Sequence, residues 1–102
     1  MDSFQFKRAP AVPRKISEIA PDSDIRVRIL GRVIDRAEDT VVIDDGSAKV
    51  EVTTEQPAEF GDVVRIIARV LPLETGYDLR AELTQDMSKL DMELYRKVMG
   101  NV

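Results

Sequence analysis

At 102 residues, the chain has room for one ordinary domain with an adequate core and no room for two. Hydrophobic residues make up 43% and charged residues 33%, the balance of a soluble globular protein, and no apolar run approaches the roughly 20 residues that span a bilayer. Histidine and cysteine are absent and the formal charge is −4, which removes the commonest general base, thiolate catalysis and disulfides, and speaks against coating nucleic acid by bulk charge.

The charge is unevenly placed. Residues 1–36 hold eight Lys/Arg against five acids, so a basic face is compatible with an acidic whole. The opening "MDSFQFKRAPAVPRK" has neither a continuous apolar core nor a small-residue cleavage site, so no secretory signal is expected and the expected location is intracellular. Pro10 and Pro13 interrupt it without periodicity, which predicts a flexible tail over residues 1–13. Within that tail "FQFKR" pairs aromatics with cations, able to dock on DNA or a partner or simply to stay solvated.

"RKISEIAPDSD" offers Ile16 and Ile19 ahead of a Pro-Asp-Ser-Asp turn, and the folded unit is expected over residues 14–86. "DIRVRILGRVIDR" then alternates. Ile25, Val27, Ile29, Gly31 and Val33 share one face, and Arg26, Arg28, Leu30, Arg32, Ile34 and Arg36 the other. A glycine inside a strand marks a bend or a close backbone approach, so Gly31 predicts a strand that curls through two halves of a sheet.

"VVIDDGSAKVEV" reads as two short strands around the Asp45-Gly46 step, with Val41, Ile43, Val50 and Val52 inside. Its carboxylates invite a rival reading, a metal-dependent nuclease built on Asp39, Asp44 and Asp45. A calcium loop starting at Asp44 or Asp45 lacks the necessary oxygen series, and nothing else in the chain assembles a catalytic set. A non-enzymatic protein without metal or cofactor is therefore expected. Negative charge at this hairpin tip should also push a phosphate backbone toward the arginines of the first strand.

"TEQPAEFG" is too short and proline-interrupted for more than one helical turn, with Phe60 expected to plug the barrel end. "DVVRIIARVLP" turns Val64, Ile66, Ala68 and Val70 one way and Arg65 and Arg69 the other, and "YDLRAELTQ" sets Tyr77, Leu79, Ala81 and Leu83 against Asp78, Arg80, Glu82 and Thr84. Over residues 87–102 the period changes. Ser88 and Asp91 fit a capping box, and Leu90, Leu94 and Val98 recur at four-residue spacing, predicting a C-terminal amphipathic α-helix. The fold class expected is all-β, a five-stranded OB-fold barrel followed by that helix. A five-stranded sandwich or an SH3-like barrel is the rival.

Four stretches, "RKISEIAPDSDIRVRILGRVID", "VVIDDGSAKVEV", "GDVVRIIARV" and "LRAELTQDMSKLDMELYRKVM", resemble in that order the smaller OB-fold subunits of replication protein A, the single-stranded DNA-binding complex of archaea and eukaryotes. The compact length, without a long linker or zinc-ligand cysteines, looks like the smallest, archaeal type. The resemblance implies a scaffold for DNA replication, repair and recombination, in which C-terminal helices of three subunits form a bundle. It also implies a nuclear place in a eukaryote and a cytoplasmic one in an archaeon.

Two groups of residues can be weighed beside that resemblance. Met87, Leu90, Met92, Leu94, Tyr95, Val98 and Met99 spread over roughly 200° of a helix, wider than one barrel covers. Association with other subunits through Leu90, Leu94, Tyr95, Val98 and Met99 is expected, against the plainer alternative of docking on the chain's own barrel. Arg26, Arg28 and Arg32, with Lys49 on the third strand and Tyr77 at the rim, are the candidates for single-stranded DNA. Against them stands a solvated surface on which the arginines pair with Glu51, Asp78 and Glu82, and Tyr77 alternates toward the inside. Two functions remain open: a subunit with auxiliary DNA contact, and an autonomous single-strand-binding module acting as monomer or homodimer.

Overall fold

The computed structural model describes residues 10–55 and 58–87. Six strands follow in order: β1 (Val12–Pro13), β2 (Arg26–Arg36), β3 (Thr40–Asp44), β4 (Lys49–Thr53), β5 (Val63–Pro72) and β6 (Tyr77–Asp86), with a 3-10 turn over Ile16–Glu18. The sheet order is β1-β2-β3-β4-β6-β5, and β2 also pairs with β5. That last pairing closes β2 to β6 into a five-stranded barrel, with β1 laid parallel against β2. The closed barrel with a long, shared first strand is an OB-fold, as the alternation predicts. Val12 and Pro13, given to the tail by the sequence, are the strand β1. None of the described residues is α-helical, and the expected C-terminal helix lies outside them.

β2 serves both halves of the barrel. Residues Arg26 to Arg32 pair with β5, and Arg32 to Arg36 pair with β3. At the change of partner sits Gly31, where an added Cβ would lie 2.7 Å from the Asp44 carbonyl oxygen and 2.7 Å from Ile43 Cγ2. The glycine is there because β3 crosses at backbone contact, the close approach that its place in the strand predicts.

The inward rows make the core. Val27, Ile29, Val33, Ile43, Val52, Ile66 and Leu79 are sealed from solvent, and Ile16, Ile19 and Ala58 close the barrel ends. Burying each such side chain contributes about 1.5–3 kcal/mol. Phe60, expected as a plug, is instead 73% exposed. A turn in which the Asp62 amide donates to the Glu59 carbonyl (3.0 Å), completed by Gly61 at φ +91°, throws the ring outward. Ile25, expected to face inward, lies just before β2 and is 57% exposed.

Two bulges overturn simple alternation. Between Val33 and Asp35 the register to β3 slips by one residue, so Arg36 stands opposite the buried Val41 rather than on the outer face with Arg26, Arg28 and Arg32. On β6 the partners of Ile67 and Ala68 are Leu83 and Ala81, leaving Glu82 unpaired. Beyond it Leu83 turns out to solvent, contrary to the sequence expectation, and Thr84 turns in beside Thr54.

Candidate nucleic-acid interface

OB-folds receive oligonucleotides on the surface of their second and third strands, here the outer face of β3 and β4. Strand pairing places Arg32, Asp44 and Lys49 in one row, Asp35, Val42 and Glu51 in the next, and Thr40 beside Thr53 at the far end. Cations and carboxylates are interleaved, and these two strands carry no aromatic residue. Arg32 is partly spent, since its Nη1 donates to the Gly61 carbonyl at 2.7 Å.

The opposite surface, the outer face of β2, β5 and β6, differs. One row across the three strands is Arg26, Arg69 and Arg80, the next is Arg28, Ile67 and Leu83, and the third is Leu30, Arg65 and Gln85. Arg26 Nε donates to Glu82 Oε1 at 2.7 Å, and Arg65 Nε to Gln85 Oε1 at 2.8 Å. Of the pairings expected from sequence, Arg26 with Glu82 is formed.

The candidates are thus divided. Arg26 and Arg28 lie on the β2–β5–β6 face, Lys49 lies on the hairpin face, and Arg32 stands at the seam. Tyr77 begins β6, half-buried against the core, and that burial pushes its phenol pKa up. Leu90, Leu94, Tyr95, Val98 and Met99 lie outside the described residues.

Sequence reasoning missed Phe60. Its exposed ring belongs to the residue just before the carbonyl that holds Arg32, so one turn carries an aromatic and anchors a cation, the kinds of group that stack and neutralise single strands. The signal was present: a glycine directly after phenylalanine permits a turn that exposes the ring.

The paired aspartates have a structural task. Asp44 Oδ1 accepts from the Gly46 amide at 2.8 Å. Asp45 Oδ2 accepts from the Ile16 amide at 2.8 Å, while Oδ1 accepts from the Ser47 amide and hydroxyl at 2.8 and 2.7 Å. Burial pushes the Asp45 carboxyl up, but the Ser47 hydroxyl and the amides of Ile16, Ser47 and Ala48 outweigh it and hold its pKa below the usual value. The hairpin joins its strands by residues 45–48, with only Gly46 at positive φ (92°). It is a longer, carboxylate-braced loop rather than a two-residue turn.

A second carboxylate completes this brace. Asp24, buried, accepts from the Ala20 amide at 2.9 Å and from Arg14 Nε and Nη2 at 3.2 Å each. The Ala20 amide and then the Arg14 guanidinium hold its pKa low. Together Asp24 and Asp45 pin residues 14–24 across one end of the barrel.

Among the described residues no group of three or more acids is placed to hold a metal ion. A cleft of about 110 Å³ lined by Arg36, Glu38, Asp39, Thr54 and Ala58 among others is well below the 300 Å³ or so at which ligand pockets begin.

No protein-family description and no curated protein sequence matches the chain. Solved structures do. The telomere capping protein Ten1 from Saccharomyces pombe superposes with a TM-score of 0.71 at 18% identity, covering 90% of this chain and 96% of that one. A chain of the S. pombe Stn1-ten1 complex gives 0.71 at 18% identity, covering 93% of each. A chain of U. maydis replication protein A bound to ssDNA gives 0.67 at 16% identity, covering 93% and 91%. At identities this low, the superpositions show a shared OB-fold and nothing finer.

Proposed function

We propose that the chain is a non-enzymatic, intracellular small subunit of a replication protein A-like assembly on single-stranded DNA, serving mainly to hold other subunits and touching the strand only in an auxiliary way. The observation that carries this reading is the chemistry of the hairpin face. Where an OB-fold grips a strand, Asp35, Asp44 and Glu51 offset Arg32 and Lys49, and β3 and β4 offer no ring for a base to stack on. An OB-fold with so weak a grip, similar in fold over 93% of its length to chains found in such assemblies, is suited to scaffolding. Residues 88–102, with Leu90, Leu94, Tyr95, Val98 and Met99, are the proposed assembly element. The auxiliary contact falls to Arg32, Lys49 and the exposed Phe60 at the seam.

The second reading, an autonomous single-strand-binding module, draws on the exposed Phe60 in the turn whose Gly61 carbonyl holds Arg32. Size-exclusion chromatography with light scattering, on the chain alone and with candidate OB-fold partner subunits, separates the two. The expected result is a stoichiometric complex that is lost on deleting residues 88–102, with oligothymidylate binding by the isolated chain weaker than micromolar. A monomer indifferent to those partners that binds oligothymidylate tightly would establish the autonomous module instead.

A further inference from the structure

The registers of β2, β5 and β6 create a surface that the groove reading leaves unused. Arg26, Arg69 and Arg80 stand directly opposite one another on three adjacent strands, which sets their backbones about 5 Å apart. Like charges so placed repel and destabilise a sheet. Arg26 is answered by Glu82. Arg69 and Arg80, and Arg28 one row further on, are exposed and have no carboxylate partner among the described residues. Beside them runs an aliphatic row, Ile67 and Leu83. Leu83 is 38% exposed only because the bulge at Glu82 reverses its side.

Unpaired arginines that repel one another in the free protein call for an anion from outside. We propose that this face docks an acidic segment of a partner protein in which carboxylates alternate with aliphatic side chains. The carboxylates are received by Arg28, Arg69 and Arg80, and the aliphatic groups rest on Ile67 and Leu83. Charge complementarity fixes the sign of the occupant. Every cation on β2, β5 and β6 is arginine and none is lysine, a planar fork that meets a carboxylate or a phosphate with two bonds, and two further features select protein over a nucleic-acid strand. The centre of the patch is aliphatic. No aromatic ring stands in these three rows to stack a base. The surface is separate from the hairpin face and does not depend on whether that face meets DNA.

The test is fluorescence anisotropy on the full chain with three labelled probes: a peptide of repeated Glu-Glu-Leu units, one of repeated Glu-Glu-Ser units, and oligothymidylate. The leucine peptide is expected to bind more tightly than the serine peptide. The double variant Arg69→Gln, Arg80→Gln should weaken it about tenfold, and Leu83→Ser about threefold. Arg69→Lys with Arg80→Lys, which keeps the charge and removes the fork, should also weaken it. All substitutions are at exposed positions, and thermal melts check that the variants stay folded. Equal binding of the two peptides overturns the proposal in favour of unspecific attraction. So does an arginine variant that loses oligothymidylate while keeping the peptide, which would make the face a nucleic-acid surface.

Discussion

The hairpin face of β3–β4 and the broad face of β2–β5–β6 are made the same way, from alternate residues of strands that bury their other side, and their chemistry is opposed. On the hairpin side carboxylates stand among the cations, and two of them also brace the fold. Asp44 braces the loop, and Asp45 reaches across 29 positions to the Ile16 amide. On the broad side three arginines have no such employment among the described residues. The contrast teaches that a net charge of −4 describes neither surface, because strand register decides which charges stand side by side on each face.

The sharpest way to break the comparison is at the seam where the faces meet. Gly31→Ala would force a methyl group against the Asp44 carbonyl and Ile43 and should cost about 3 kcal/mol, measured by urea unfolding. A loss below 0.5 kcal/mol or so would show that β2 and β3 can separate there without penalty. Next is the claim that the acids at the hairpin end are structural. Asp24→Asn leaves a half-exposed Arg14 without its partner, and a loss of about 2 kcal/mol is expected.

The same claim has a pH signature. Both Asp24 and Asp45 have folded pKa values below the ordinary 3.8. A depressed carboxyl contributes stability that is complete above its unfolded pKa and is lost as pH falls through the folded one. Thermal stability should therefore hold from neutrality to about pH 4 and decline below it. Asp24→Asn with Asp45→Asn should flatten that acid limb, and a limb parallel to the parent's would assign acid sensitivity to other groups.

Smaller effects test each face alone. Glu51→Lys, on an exposed hairpin position opposite Val42, should tighten oligothymidylate binding about three- to fivefold at low salt, an advantage that 0.5 M salt or so erases. An unchanged affinity would mean that the hairpin face meets no strand at all. Smallest of all, Arg69→Gln should raise stability by about 0.2–1 kcal/mol by relieving the row it shares with Arg26 and Arg80. A decrease would show that the row is held together by interactions within the sheet.

Much of the barrel is legible from residue type and spacing. β-branched residues at period two place Val27, Ile29, Val41, Ile43, Val52, Ile66 and Leu79 inside, and Gly31 announces the strand that serves both halves, because alternation and a missing side chain are local facts. The candidate site was read less well. Arg26, Arg28 and Arg32 are on the outer side of β2 as the pattern requires, yet pairing distributes them over two surfaces. Phe60 was lost because its direction depends on a turn closed by Gly61 and Asp62, which hydrophobicity alone assigns to the core.

What the sequence by itself determined is therefore the set of strands, their buried sides and the glycine on which the barrel turns. The tertiary structure alone decided which strands became neighbours and in what register. An extra residue at Ile34 or at Glu82 reverses the sides of everything beyond it, and a bulge forms only where a partner strand leaves one residue unmatched. Arg69 and Arg80 lie in separate, ordinary-looking strands of the sequence. Only the pairing of β5 with β6 sets their like charges face to face, and that juxtaposition, a product of hydrogen-bond register, gives the surface its reason to bind an acid.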